Sequence, residues 1–318
     1  MAPILALYPG QGSQSPGMAL DFYQASTQVK ELFALASEAA HTDLYQLLST
    51  ATEQELKQTR NAQLAITLSS RSTYLRLREQ GYVFKAHSGF SLGELAAYAG
   101  AGIFDDHTLF TIIERRAALM DEMADKATKK HGELGMAAII GLGFDQVVEA
   151  IAASQIQGIY PSNDNGPSQV VVAGLASAIT LLKPILTERG AKRVIPLKVS
   201  GPFHTPFMEK ATEPFLAFLE TQTFSDPKEL VISSVDGNVI KSKEEAREHL
   251  ARQLAYPVRW TRVLSKVKEL TESSNLSIAE VGYGTVLSGL CKNSGLDLVC
   301  NSLGTESAIQ DYAKELSI

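Results

Sequence analysis

The segment Gly89-Phe90-Ser91-Leu92-Gly93-Glu94 sets a serine between two glycines, each two positions away. A stretch with strand character, YVFKAHS at 82–88, precedes it, and a small-residue run with helical spacing follows over 92–100. The pattern predicts a strand–turn–helix. In such an elbow the serine backbone is strained, and only small residues two places to either side allow the close approach. The serine then sits at a helix N-terminus, where the dipole and unbonded N–H groups stabilise a developing oxyanion. The Leu92 N–H is the natural first donor. This chemistry is attack by Ser91 on an acyl carbonyl; the alternative is a plain turn with serine as a loop residue.

A nucleophilic serine needs a base. Of six histidines, His204 stands out in SGPFHTPFM, after Gly201 and between Pro202 and Pro206. The prolines fix the backbone and would hold the imidazole rigidly. His87 lies near Ser91 in sequence, but its strand position points it elsewhere. His41, His107, His131 and His249 have polar surroundings and read as surface residues. No acidic residue is placed as a third member of a triad.

A second Gly-rich turn, PGQGSQ at 9–14, follows the short apolar strand at 4–8. It exposes backbone N–H groups, and the Gln11 N–H is the expected second oxyanion donor. Neither GK[ST] nor GxGxxG follows, so a P-loop and a dinucleotide fingerprint are excluded. On a helix expected over 106–127, Arg115 and Arg116 lie among Ile112, Ile113, Ala117 and Met120. One of the two must lean inward, and a buried arginine needs a carboxylate, from the protein or from a substrate.

The elements around these residues alternate between strand and helix. Helices are expected over 20–40 and 61–80. A polar stretch at 126–135 reads as a crossing between domains. Strand 136–142, helix 145–153, strands 158–162 and 169–173, helix 175–189 and strand 191–196 follow. That βαββαβ order is the ferredoxin-like split arrangement. Helices at 206–221, 244–254, 286–293 and 306–316 and strands at 230–233 and 278–281 complete the chain.

The 318 residues are 45% apolar and 20% charged, the composition of a folded protein with a full core. With 29 basic against 35 acidic residues, net −6, nucleic-acid binding is disfavoured. No apolar run is long enough to cross a bilayer. MAPILALYPGQ lacks a basic lead-in and reads as a first core strand, not a signal peptide. Cys291 and Cys300, both in apolar surroundings, cannot make a disulfide framework or a four-ligand zinc site. They read as buried reduced thiols, which places the chain in the cytoplasm.

PGQGSQ, GxSLGE, the helix arginine and the PFH loop, in this order, resemble the malonyl-CoA:acyl carrier protein transacylases of bacterial fatty acid synthesis. Polyketide synthase acyltransferase domains share the pattern. The resemblance continues through NDNGPSQVVVAG at 163–174, RQLAYPVRW at 252–260 and EVGYGTVLSGL at 280–290, and covers nearly the whole chain. It implies an α/β fold with an α/β-hydrolase-like core, residues 1–130 and 199–318, and a ferredoxin-like insert, residues 131–198. It implies ping-pong acyl transfer with Ser91 as nucleophile and His204 as base and then acid. The imidazole would be oriented by the backbone carbonyl of Gln253. Gln11 and Leu92 would supply the oxyanion N–H groups. Arg116, 25 residues after the serine, would bind the malonyl carboxylate, with Gln11, Asn165 and Phe203 also at the substrate. No metal or cofactor is implied: the coenzyme A thioester is a substrate and the carrier's phosphopantetheine arm the acceptor. Malonyl-CoA and acyl carrier protein are the expected partners, with no nucleic acid and no membrane.

The sequence departs from the family pattern at three places. Phe90 replaces the usual histidine, Gly166 and Ser168 are exchanged in the asparagine segment, and Tyr283 replaces a proline. Phe203 beside His204 resembles malonyl-selective members more than methylmalonyl-selective ones. The alternatives are a discrete acyltransferase of a polyketide synthase or malonate decarboxylase system, or an acyl-CoA or acyl-carrier hydrolase. An acidic carrier would need a local basic patch, for which Lys126, Lys129, Lys130, Lys192, Arg193 and Lys198 are the candidates.

Overall fold

The computed structural model describes residues 2–199 and 201–315. Its strands are Ile4–Tyr8 (β1), Phe84–Gly89 (β2), Leu134–Ile140 (β3), Ile159–Gly166 (β4), Gln169–Leu175 (β5), Arg193–Leu197 (β6), Leu230–Ile232 (β7), Val258–Arg259 (β8), Ser277–Glu280 (β9) and Cys300–Ser302 (β10). They form two sheets, ordered β10-β9-β1-β2-β7 and β6-β3-β5-β4-β8.

The first sheet is wholly parallel. A parallel sheet covered on both faces needs apolar residues at every position, and ILALY of β1 is fully buried throughout. Alternation sends Ile4, Ala6 and Tyr8 to one face, where they join the main core with the helices Thr59–Glu79 and Asp106–His131. Leu5 and Leu7 pack on the other face against Trp260, Val263, Leu264 and Val267 of helix Trp260–Ser273.

In the second sheet β3 pairs antiparallel with β5 and β6, and β4 antiparallel with β5. Ala137, Ile139, Val170 and Val172 face the helices Phe144–Ser154 and Ala176–Glu188. Their neighbours Met136, Ala138 and Val171 face the opposite way, toward the main core. The fifth strand, β8, comes from outside 131–198 and pairs in parallel with β4. RQLAYPVRW therefore ties the two sheets together, because Trp260, next to β8, is buried under the first one.

Several elements differ from the sequence expectation. The expected helix 20–40 is two helices, Leu20–Ala25 and Thr27–Ala39, because Ser26 adopts an extended backbone and caps the second through its side chain. The polar stretch 126–135 is no open crossing: the long helix runs on to His131, with Lys129, Lys130 and His131 at its C-terminal pole, before Gly132 ends it. β4 extends to Gly166, past the expected end at 162. Helices Leu44–Thr50, Glu53–Leu56 and Trp260–Ser273 were not anticipated. The apolar positions 260, 263, 264 and 267 carry the period of the last one. His249 is buried, not a surface residue, and its Nδ1 lies 2.9 Å from the Ser233 Oγ. Cys291 is buried but Cys300 only partly so, and neither is in a disulfide. Leu316, the expected end of the last helix, lies outside the described residues. No helix among the described residues is long and apolar enough to cross a membrane.

Candidate active site

Ser91 follows β2 and precedes helix Gly93–Gly100 with φ of 51°, a left-handed backbone. Both flanking glycines are required by close approach. A Cβ on Gly89 would collide with the Gly93 carbonyl group, and one on Gly93 with the Tyr8 carbonyl. The turn is held by Phe90 N–H to Tyr8 O at 2.9 Å and Glu94 N–H to Ser91 O at 3.0 Å. Among the described residues the Gln11 and Leu92 N–H groups donate to no protein acceptor, so both remain available to an oxyanion.

The His204 Nε2 lies 2.7 Å from the Ser91 Oγ. His204 also has a left-handed backbone, φ 60°. Its loop is tied by Thr205 Oγ1 donating to Pro202 O at 2.5 Å and by Ser162 Oγ donating to Phe203 O at 3.1 Å. The His204 N–H donates to Leu254 O at 3.1 Å, and Nδ1 sits 2.7 Å from Gln253 O. These carbonyls end helix Lys243–Gln253. The last carbonyls of a helix lack intrahelical donors and carry its negative pole, so a helix terminus orients the imidazole where a triad would use an acid. With Nδ1–H bonded to Gln253 O, Nε2 faces Ser91 as the acceptor. Burial and the nearby Arg116 charge lower the His204 pKa to about 4, so the ring is neutral and able to take a proton at neutral pH.

Arg116 is the buried member of the arginine pair, while Arg115 is exposed. Its Nη1 donates to Gln63 Oε1 at 2.9 Å, and its Nη2 to Gln253 Oε1 at 3.0 Å and to Ser91 Oγ at 3.3 Å. Among the described residues its Nε has no partner. Both protein side-chain partners besides the serine are neutral amides. Burial lowers its pKa to about 10, against the opposing pull of Glu94, so it stays charged at neutral pH.

Ser91 and His204 open on a cleft of about 300 Å³ between the two sheets. Gln11, Phe90 and Val286 line one wall, and Met136, Asn163, Asn165 and Val171 the other. Asn165 is 7% exposed, and its Oδ1 has no partner among the described residues. Phe90 packs edge-on against Trp260, with ring centroids 5.2 Å apart, so the aromatic is shared between cleft and core. Phe203 does not line the cleft: its ring is in the main core at 4% exposure. A larger depression of about 690 Å³ opens at the N-terminal ends of the parallel strands, around Pro3, Lys85 and Leu230, and is lined by neither Ser91 nor His204.

Three residues in or against the site were not singled out in the sequence. Gln63 lies on a helix face with no local signal. Asn163 belonged to a segment noted only for its resemblance. Glu94 stood in the serine motif without a role. Conversely, Glu280 of EVGYG has a structural duty: its carboxylate accepts the Leu287 and Ser288 N–H groups at 2.9 and 2.8 Å and so caps helix Val286–Lys292.

A strained serine at a helix N-terminus, 2.7 Å from a histidine and 3.3 Å from a buried arginine, is an arrangement able to carry out acyl transfer. The acyl transferase domain pattern matches residues 6–294. Malonyl CoA-acyl carrier protein transacylases are similar over nearly the full length. The Bacillus subtilis protein is 34% identical, over 92% of this chain and 90% of its own. The Escherichia coli K12 protein is 34% identical, over 97% and 98%. Among solved structures, the acyl carrier protein S-malonyltransferase of Vibrio cholerae has a TM-score of 0.90 at 31% identity, covering 98% of this chain and 100% of that one. A malonyl-transacylase in complex with its type II PKS acyl-carrier protein has a TM-score of 0.90 at 32% identity, covering 99% and 100%. The chain belongs to the malonyl-CoA:acyl carrier protein transacylase family of acyl transferase domains.

Proposed function

We propose that this chain moves a malonyl group from malonyl-CoA to the phosphopantetheine thiol of acyl carrier protein through a malonyl ester on Ser91, supplying fatty acid synthesis. Ser91 Oγ attacks the thioester carbonyl as His204 Nε2 takes its proton. The Gln11 and Leu92 N–H groups hold the tetrahedral oxyanion. Collapse expels the coenzyme A thiolate, which receives the proton from His204. The carrier thiol then enters by the same steps in reverse order, giving its proton to His204 and regenerating Ser91. Asn165 is assigned to the acyl or pantetheine chain. Phe203 acts on selectivity only through the His204 loop.

The observation that carries this reading is Arg116: buried, charged, within hydrogen-bond distance of Ser91 Oγ and lacking any carboxylate bonded to it among the described residues. A malonyl carboxylate supplies the missing anion, and a neutral acyl group does not. Mass measurement of the intact protein after brief exposure to malonyl-CoA, acetyl-CoA and methylmalonyl-CoA tests it. A malonyl adduct that Ser91→Ala removes and carrier protein discharges is the expected result. Free malonate without an adduct would favour a hydrolase.

The carrier has a second reading, because one similar structure is a complex with a type II PKS carrier. Discharge by fatty acid and polyketide carriers side by side separates the two. Edge strand β6 presents Arg193 beside Lys192 and Lys198, all exposed, and Leu197 of that strand lines the cleft. This supports carrier docking there, whereas Lys126 is paired with Glu122. Charge reversal at Lys192 and Arg193 should slow discharge at low salt and leave acylation by malonyl-CoA unchanged.

For the architecture, the four-strand order β6-β3-β5-β4 with its two helices supports a ferredoxin-like insert at 131–198. The parallel sheet with its serine elbow supports an α/β-hydrolase-like core over 1–130 and 199–318. The free thiols and the carrier substrate fit a cytoplasmic enzyme, and no metal or organic cofactor enters the steps above.

A further inference from the structure

The Glu94 carboxylate is fully buried, and its hydrogen bonds go to groups around the serine and not to a cation. Its Oε2 accepts from Gln253 Nε2 at 2.6 Å and from Ser234 Oγ at 2.5 Å, and its Oε1 from Tyr98 OH at 3.3 Å. The Gln253 amide is thereby fully used. Its NH₂ donates to Glu94 and, at 3.0 Å, to Ser91 O, while its Oε1 accepts from Arg116. A carboxylate only accepts and a guanidinium only donates. With Glu94 on one side and Arg116 on the other, this amide has one satisfied orientation, and a flip would set like against like at both ends. The backbone oxygen of the same residue orients His204.

We propose that Glu94 is a positioning residue for malonyl recognition: through the Gln253 amide it fixes the Arg116 guanidinium and keeps the place for a directly bonded carboxylate open to the substrate. The inference rests on the malonyl-transfer reading. A carboxylate in contact with Arg116 would compete with malonyl, whereas one held an amide away balances the buried charge without competing. Glu94 also opposes the burial that lowers the Arg116 pKa to about 10. The groups facing Glu94 are Tyr98 from its own helix, Ser233 and Ser234 after β7, and His249 and Gln253 from helix Lys243–Gln253. Burial raises the Glu94 pKa, while bonds from Ser234 and Gln253 and the His249 charge act against it.

The test is Glu94→Gln, nearly isosteric, with acylation rates by malonyl-CoA and acetyl-CoA followed across pH by intact mass. The malonyl rate should fall roughly ten- to hundredfold, the size of one hydrogen bond to a charged group, and the acetyl rate much less. At high pH, malonyl preference should be lost earlier than in the parent, since Arg116 without Glu94 releases its proton more readily. Glu94→Asp, which keeps the charge, should recover part of the preference. Parallel loss for both substrates, or an unchanged preference and pH profile, overturns the proposal. If Glu94→Gln does not fold, Ser234→Ala serves: it removes a donor that holds the Glu94 carboxylate against the Gln253 amide, and should lower malonyl acylation several-fold while acetyl acylation is kept. An unchanged ratio of the two rates overturns the proposal. Parent protein that takes no malonyl overturns the malonyl reading itself, and this inference with it. A malonylated parent whose variants lose both substrates equally removes the Glu94 role alone.

Discussion

Ser91 and His204 meet at 2.7 Å, and each does so from a left-handed backbone, φ 51° and 60°. Such a conformation costs a non-glycine residue about 1–3 kcal/mol. It persists here because the surroundings over-determine it. Ser91 is clamped by the close approach of Gly89 and Gly93 to neighbouring backbone. His204 is held by two carbonyls at one helix end. The reacting geometry therefore exists before substrate arrives, which removes an ordering cost from the chemical step.

Ser91→Ala should abolish the malonyl adduct and lower transfer by roughly 10⁴-fold or more, with the fold kept because alanine is no larger. Intact mass and a thermal melt check both parts. A surviving adduct would place the nucleophile elsewhere.

Arg116→Ala should lower acylation by malonyl-CoA relative to acetyl-CoA by about a hundredfold, as expected for loss of a charge-assisted grip. It should also destabilise the protein, since Gln63 Oε1 and Gln253 Oε1 lose their buried donor. Competition between the two thioesters measures the first effect. An unchanged ratio would mean that the carboxylate is held by another group.

The pH dependence follows from His204. Its pKa in the free protein is about 4, lowered first by burial and then by the Arg116 charge. Acylation should therefore hold as pH falls from neutrality and fail only as the imidazole takes up a proton near that value. Removing the Arg116 charge lifts one of the two lowering effects, so in Arg116→Ala the acid limb should move to higher pH. A limb at the same pH in both proteins would show that the arginine does not act on the base.

Gly93→Ala and Gly289→Ala should move stability in opposite directions. A Cβ at 93 strikes the Tyr8 carbonyl at the elbow, and overpacking of that kind costs about 1–3 kcal/mol or more. A Cβ at 289, on helix Val286–Lys292, meets nothing within 4 Å, and alanine there should add about 0.4–1 kcal/mol. Thermal melts of the two variants decide it. A neutral Gly93→Ala would mean that the elbow can open.

The reacting residues were legible because their signals are local. The glycine spacing around Ser91 and the prolines around His204 are written in contiguous residues, and the helical period over 106–127 left Arg115 or Arg116 as the inward arginine. Each constrains its own backbone or helix face through sterics alone. The missing acid was legible too, since no carboxylate stood in a suitable context, and helix-end carbonyls fill its place. The arginine's partner was not legible. Sequence alone left protein and substrate carboxylates open, and the fold surrounds Arg116 with the amides of Gln63 and Gln253, 53 and 137 positions away. The burial of His249 was hidden for the same reason: its helix carries charged residues on every side but one. The cleft wall from β3, β4 and β5, the parallel pairing of β8 with β4, and the contact of Glu94 with Gln253 across 159 positions also depend on chain closure. Such contacts arise when distant segments pack, so no single stretch encodes them. The sequence by itself determined which groups react and how each is locally strained. Only the tertiary structure decided which neutral and charged partners surround them, because those partners are chosen by packing between segments far apart in the chain.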